Sequence, residues 1–255
     1  MTMPDGYASH FQDQAVAGAY AAGVYADGTF DSHVSRLQLG WARSVVESSF
    51  AAPPVHLDFA CGTGRILAAL EDVTAESFGF DVSAEMLEIA EARNLRATLL
   101  RTDPVAPELS LPQIGARPVV VTMFRFLLNT EPDARGVALN FAAQALSEHP
   151  GSLLIVNNHG NKTSLRELAR LKPKRRGPWF NSMSDREMKA LLRAHGLTPI
   201  RRYGVGGAPS SVYRRARLRP MAERMTDSLA GEGLGGALGA DITYVAKVAG
   251  ENGRS

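Results

Sequence analysis

Seven short apolar runs, most of them separated by helical spacings, constrain what this chain can fold into. Val55–Ala60 follows Pro53-Pro54 and reads as a buried strand. Gly64–Leu70 continues at helical spacing through Ile66, Leu67 and Leu70. Phe78-Gly79-Phe80 is a second strand, and Ser83 then caps a helix bearing Met86, Leu87, Ile89 and Ala90. Ala97–Leu100, the valine-rich Pro118–Met123 and Ser152–Val156 add three more strands. A helix opens at Pro132 and runs to about Glu148. Further on the spacing predicts a helix over Thr163–Leu171, a loop over Lys172–Phe180 and a helix over Ser184–Ala194. The last is capped by Ser184 with Glu187 and stopped by Gly196. Thr198–Tyr203 and Asp241–Val248 read as two late strands, with a basic stretch (213–225) and a glycine-rich one (231–239) between them. Strands that alternate with helices cannot close tight hairpins. They pair in parallel through crossovers, which implies an α/β, doubly wound, mostly parallel sheet of about seven strands.

The chain has 255 residues, 45% of them hydrophobic, enough to bury one large core. No proline-rich linker separates two cores, so one domain over 51–249 is expected. An N-terminal helical extension or lid over 1–50 precedes it, and a short tail over 250–255 follows. The single cysteine, Cys61, excludes an internal disulfide framework and any cysteine-based zinc site; it reads as a small buried filler. No signal peptide is evident and no apolar stretch approaches the roughly 20 residues that span a bilayer, so a cytoplasmic protein is expected. The formal net charge is +2, but it is unevenly placed. Residues 1–161 carry 9 Arg, no Lys and 18 acidic side chains, a net charge of −9. Residues 162–255 carry 19 basic and 8 acidic side chains, a net charge of +11.

The strongest local signal is Asp58-Phe59-Ala60-Cys61-Gly62-Thr63-Gly64, which leaves one strand and opens a helix. Glycines at 62 and 64 allow a tight turn and a close backbone approach to a ligand. Asp81 stands at the end of the second strand, the position from which a carboxylate can accept hydrogen bonds from both hydroxyls of a ribose. Together they predict a nucleoside held across the carboxyl ends of the first two strands. A dinucleotide fingerprint would place a third glycine where this chain has Leu67. Asp58 at the mouth of the turn disfavours a pyrophosphate and suits a cation. S-adenosylmethionine fits, with a ribose, an ammonium, a sulfonium and no phosphate.

These residues, with Gly79-Phe80-Asp81-Val82-Ser83-Ala84-Glu85-Met86-Leu87, resemble the first two motifs of the class I S-adenosylmethionine-dependent methyltransferases. The resemblance runs over roughly 55–160 and implies a Rossmann-like domain. It places Gly62 and Gly64 at the methionine moiety and Asp81 at the ribose, with Asp58 and Ala60 also expected among the cofactor-binding residues. Val82 and Met86 would stand near the adenine or ribose, and Asp103 near the adenine amine. Backbone groups near Met123 and Phe124 would face the amino-acid end. Ala60 departs from the family, which usually has glycine there.

Methyl transfer from a sulfonium needs mainly alignment and exclusion of water, with a base when the acceptor must lose a proton. His159, in the polar cluster Asn157-Asn158-His159-Gly160-Asn161, is the candidate base. His10, Tyr25 and His33 are lid candidates, whereas His56 and His149 read as structural. The Asp/Asn-Pro-Pro-Tyr/Phe motif of many base N-methylating relatives is absent, since Thr122-Met123-Phe124-Arg125-Phe126 stands in its place. That weighs against a nucleic-acid partner. The basic segments 162–176 and 201–224 favour an anionic acceptor, and Trp179 and Phe180 could stack on a ring. The expected function is methylation of a small molecule at O or N, with an anionic or natural-product-type acceptor. The alternatives are an RNA or protein methyltransferase docking through its basic half, and an S-adenosylmethionine-binding protein without catalysis.

Overall fold

The computed structural model describes residues 25–102, 112–168, 180–207 and 210–250. Helix α1 (Phe30–Ser49) leads into β1 (Val55–Phe59), α2 (Arg65–Leu70), β2 (Glu76–Asp81), α3 (Ala84–Glu91) and β3 (Ala97–Arg101). Beyond 111 come β4 (Val119–Met123), α4 (Pro132–Glu148) and β5 (Leu153–Asn158). The carboxyl-terminal part holds α5 (Leu165–Leu168), α6 (Asp185–Ala194), β6 (Leu197–Val205), α7 (Ser210–Tyr213), α8 (Arg219–Leu229), α9 (Leu234–Ala237) and β7 (Asp241–Val248).

The seven strands form one sheet in the order β3-β2-β1-β4-β5-β7-β6. Neighbours from β3 to β5 are parallel, while β7 runs antiparallel to both β5 and β6. From β1 the chain winds outward to β3, then returns to the other side of β1 to build β4 and β5. That reversal opens a crevice above the carboxyl ends of β1 and β4, where ligands of open α/β sheets bind.

Period-two alternation divides the core between the two faces of the sheet. Val119, Val121 and Met123 of β4 pack with Leu139, Ala142 and Leu146 of α4 and Met188 and Leu192 of α6. Val120, between them, turns to the opposite face with Val45 and Val46 of α1 and Ile66 and Leu70 of α2. The helices therefore cover both faces, as the alternating sequence predicts. The expected capping box on α6 is present: Ser184 accepts from the Glu187 amide, and the Glu187 side chain accepts from the Ser184 amide. Elements differ from the sequence reading mainly at their ends. The second strand begins at Glu76 rather than Phe78, and β6 extends to Val205, because backbone pairing with β1 and β7 continues past the apolar residues.

Candidate functional site

The turn between β1 and α2 is built from left-handed backbone. Ala60, Gly62 and Gly64 have φ of +56°, +53° and +72°. The two glycines serve different ends. A Cβ on Gly62 would meet nothing within 4 Å, so the space above it is open. A Cβ on Gly64 would lie 3.0 Å from Leu95 and 3.1 Å from Ala90, so glycine there lets the turn pack against α3. Ala60 adopts the conformation that the family's glycine would take without strain.

Asp81 ends β2, and its carboxylate ties the motifs together. Oδ2 accepts from the Gly62 amide at 2.7 Å and Oδ1 from the Ser83 amide at 2.9 Å. Burial raises its pKa against these backbone hydrogen bonds. Each oxygen keeps lone-pair capacity beyond its amide bond. Val82 is half-buried beside it and Met86 is buried on the first turn of α3.

Asp58 is buried at the end of β1. Oδ1 accepts from the Thr122 hydroxyl at 2.6 Å, and His56 Nε2 lies 2.7 Å from the same hydroxyl. Asp58 Oδ2 is buried with no hydrogen-bond partner among the described residues. Burial pushes the Asp58 pKa up to about 7, opposed by the Thr122 hydrogen bond and the Arg65 charge; Asp81 adds to the rise. Burial pushes the His56 imidazole down to about 3. An orphaned carboxylate oxygen beside the Gly62 turn is an acceptor waiting for a donor, and a cationic ammonium matches it. The residues therefore fit S-adenosylmethionine, whose ammonium is the group that Asp58 would hold.

The Met123 side chain is wholly within the main core and Phe124 packs against the α1–α2 face, so backbone is what either can offer the crevice. His159 stands immediately after β5, half-buried, edge-on to Phe180 with ring centroids 5.2 Å apart. Asp103, Trp179, His10 and the run 172–176 lie outside the described residues. His33 is a buried interior group, with Nε2 2.8 Å from Asp227 Oδ1 and Nδ1 2.6 Å from Arg36. His56 and His149 are buried, as expected of structural residues. Cys61 is buried as well, and burial raises its thiol well above the ordinary value.

Two residues to which the sequence assigned no role stand at the crevice. Arg65 opens α2 directly after Gly64 and donates to Ser35 Oγ of α1 at 2.6 Å. Arg125 follows β4 with φ of +56°, its amide held by Asn157 Oδ1 at 2.6 Å. Their guanidinium carbons lie 4.2 Å and 5.3 Å from the centre of the Tyr25 ring. Only the fold brings 25, 65 and 125 together, so no local pattern could have revealed them.

Residues 57–148 match the family model of the methyltransferase domain, and they span the strands and turns just described. Over those residues the chain carries a methyltransferase domain, in keeping with the S-adenosylmethionine-dependent methyltransferases that its motifs resemble. Among solved structures it is similar to the magnesium protoporphyrin IX methyltransferase of Synechocystis with bound S-adenosylhomocysteine. The TM-score is 0.59 at 14% identity, over 95% of this chain and 97% of that one. It is similar to the CcbJ methyltransferase from Streptomyces caelestis, with a TM-score of 0.59 at 18% identity over 94% and 98% of the two chains. A third likeness is to an S-adenosylmethionine-dependent methyltransferase from Clostridium acetobutylicum, with a TM-score of 0.54 at 16% identity over 92% and 98%. No curated protein matches the sequence. At such identities the structures share the fold.

Proposed function

We propose that this enzyme methylates an anionic small molecule at oxygen or nitrogen, using a cofactor held by the residues above. The observation that carries the reading is Asp58 Oδ2, buried and without a partner among the described residues at the carboxyl end of β1. S-adenosylmethionine, when bound, supplies a methyl group already activated on a sulfonium. Asp58 would receive its ammonium. Asp81 would accept from the ribose hydroxyls while keeping its bonds to Gly62 and Ser83. Backbone of Ala60, Gly62, Gly64, Met123 and Phe124 would border the methionine end, Val82 and Met86 the nucleoside, and Asp103 the adenine amine. His159 would take the proton that the acceptor loses, and Phe180 restricts how its ring can turn.

Variants at two residues test this reading. Asp81→Ala should weaken S-adenosylhomocysteine binding by about 10- to 100-fold, the loss of charge-assisted hydrogen bonds worth about 1.5–3 kcal/mol. Asp81→Asn keeps the shape and should fall between the two. Unchanged calorimetric affinity in both removes Asp81 from the cofactor. His159→Ala should bind S-adenosylhomocysteine normally yet lose about 100-fold or more in turnover on an acceptor that must shed a proton. Full turnover in that variant removes the base.

A further inference from the structure

Among the described residues, the cations placed at the mouth of the crevice are Arg65 and Arg125, both from the acidic front of the chain. In the back, Lys162 is paired with Glu187, Arg201 with Glu232, and Arg202 with Asp185. Arg201 and Arg202 line a 260 Å³ surface cavity with Lys189, Pro199, Ile200 and Glu232. That cavity lies on β6, four strands from β1 and so roughly 20 Å across the sheet from the cofactor motifs. It is too remote to present an acceptor to a methyl group above β1 and β4.

Arg65 and Arg125 are placed differently. Arg65 is fixed by the Gly64 turn below and Ser35 above, close enough to Asp58 for its charge to lower that carboxyl's pKa. Arg125 stands at the carboxyl end of β4 in a left-handed conformation, which costs a non-glycine residue about 1 kcal/mol or more. The Asn157 side chain on its amide and Asn129 Nδ2 on its carbonyl hold it there. Its side chain is four-fifths buried, and its guanidinium carries a carboxylate already, that of Asp31 in the first turn of α1. Two guanidiniums thus converge on one aromatic ring, and like charges are costly to gather unless an anion sits among them.

We propose that Arg65 and Arg125 bind an oxyanion of the acceptor, a carboxylate or a phosphate monoester, and that Asp31 is the internal carboxylate it displaces from Arg125. This rests on the acceptor reading above, and it moves the anion-recognition site from the basic half to the crevice itself. The Tyr25 ring, 4.2 Å and 5.3 Å from the two guanidinium carbons, borders the approach and favours a flat or slender group. Exchanging one carboxylate for another leaves the charge at Arg125 unchanged, so an acid enters at little electrostatic cost and a neutral analogue does not.

The probes are benzoate, phenyl phosphate and neutral benzamide, titrated by calorimetry into enzyme saturated with S-adenosylhomocysteine. One or both anions should bind, the tighter one showing which oxyanion fits, and benzamide should bind at least about 10-fold more weakly. Arg65→Gln and Arg125→Gln should each weaken the anion by about 10- to 100-fold. Asp31→Asn should strengthen it, a gain that a damaged fold would not give. Equal binding of benzamide, no anion binding to the wild type, or weaker binding in Asp31→Asn overturns the proposal. Separate titrations with S-adenosylhomocysteine and 5′-methylthioadenosine distinguish the failures. If neither binds the wild type, the cofactor reading fails. If Arg65→Gln weakens the first and not the second, the pair serves the cofactor's own carboxylate and the acceptor assignment falls.

Discussion

Ala60 and Asp58 are each held in a state that an isolated side chain would avoid. Ala60 sits at φ +56°, where an L-residue pays roughly 1–2 kcal/mol relative to right-handed backbone. Ala60→Gly should therefore raise stability by about 1 kcal/mol in chemical denaturation, although glycine also loosens the unfolded chain. A destabilised variant would show that the methyl group packs usefully. Asp58 and His56 share the Thr122 hydroxyl, and burial keeps both neutral in acid solution. Asp58, raised to about 7, takes stability away as pH climbs from about 4 to 7; His56, lowered to about 3, takes it away as pH falls below about 6.5. Their slopes cancel between about 4 and 6.5, so this pair adds little pH dependence to folding there. Ligand binding has no such cancellation. An ammonium beside Asp58 favours its ionised form, so binding below pH 7 releases a proton. The affinity for S-adenosylhomocysteine should rise with pH between 5.5 and 7, by up to about 10-fold per unit. Asp58→Asn should bind weakly with a flat profile, and a flat wild-type profile would dissociate Asp58 from the ammonium.

At the level of elements, the motif strands and helices were legible because local chemistry sets them. The helix over 132–148 is bounded by Pro132 and the Pro150-Gly151 turn, and it forms over just those residues. The glycine-rich run 231–239 carried no such meaning in the sequence. In the fold it lies backbone to backbone against the end of β6, with Gly204 and Gly231 exchanging two hydrogen bonds. A Cβ on Gly236 would lie 1.9 Å from the Gly231 carbonyl oxygen, whereas one on Gly233 would meet nothing within 4 Å. Asn161, just past β5, donates to the carbonyls of Ala237 and Gly239 and so ties this run to the His159 loop. Gly236→Ala should cost about 2 kcal/mol or more in denaturation and depress turnover, while Gly233→Ala should be nearly neutral. Equal effects would mean that composition rather than close approach explains the glycines. Which glycine is needed depends on how the run folds back on Gly231 and against Gly204, some 30 residues away, and a single sequence does not display that packing.

Across the whole molecule, the charge asymmetry resolves into two unlike halves. The front supplies the carboxylates of the crevice, Asp58 and Asp81, and also the two arginines that face it. In the back, Lys162, Arg201 and Arg202 spend their charge on Glu187, Glu232 and Asp185 of the same half. The sequence could count these charges but not pair them, because pairing follows from β6 lying beside α6 and the Glu232 turn. Of the described basic residues in the back, Arg214, Arg215 and Arg217 are exposed together, just before α8. A polyanion drawn along the surface would need a continuous stripe of such residues, and each phosphate it neutralised would steepen the salt dependence of binding. For this described cluster alone the dependence is shallow, on the order of three phosphate contacts. Binding of a structured RNA, measured by fluorescence anisotropy at low and at physiological salt, should therefore be weak and lose affinity only modestly. It should be unaffected by saturation with S-adenosylhomocysteine, because no hydrogen bond or ion pair among the described residues links Arg214, Arg215 or Arg217 to the cofactor motifs. Tight binding with a steep salt slope, strengthened by the cofactor product, would instead make the basic half a docking surface and RNA the acceptor.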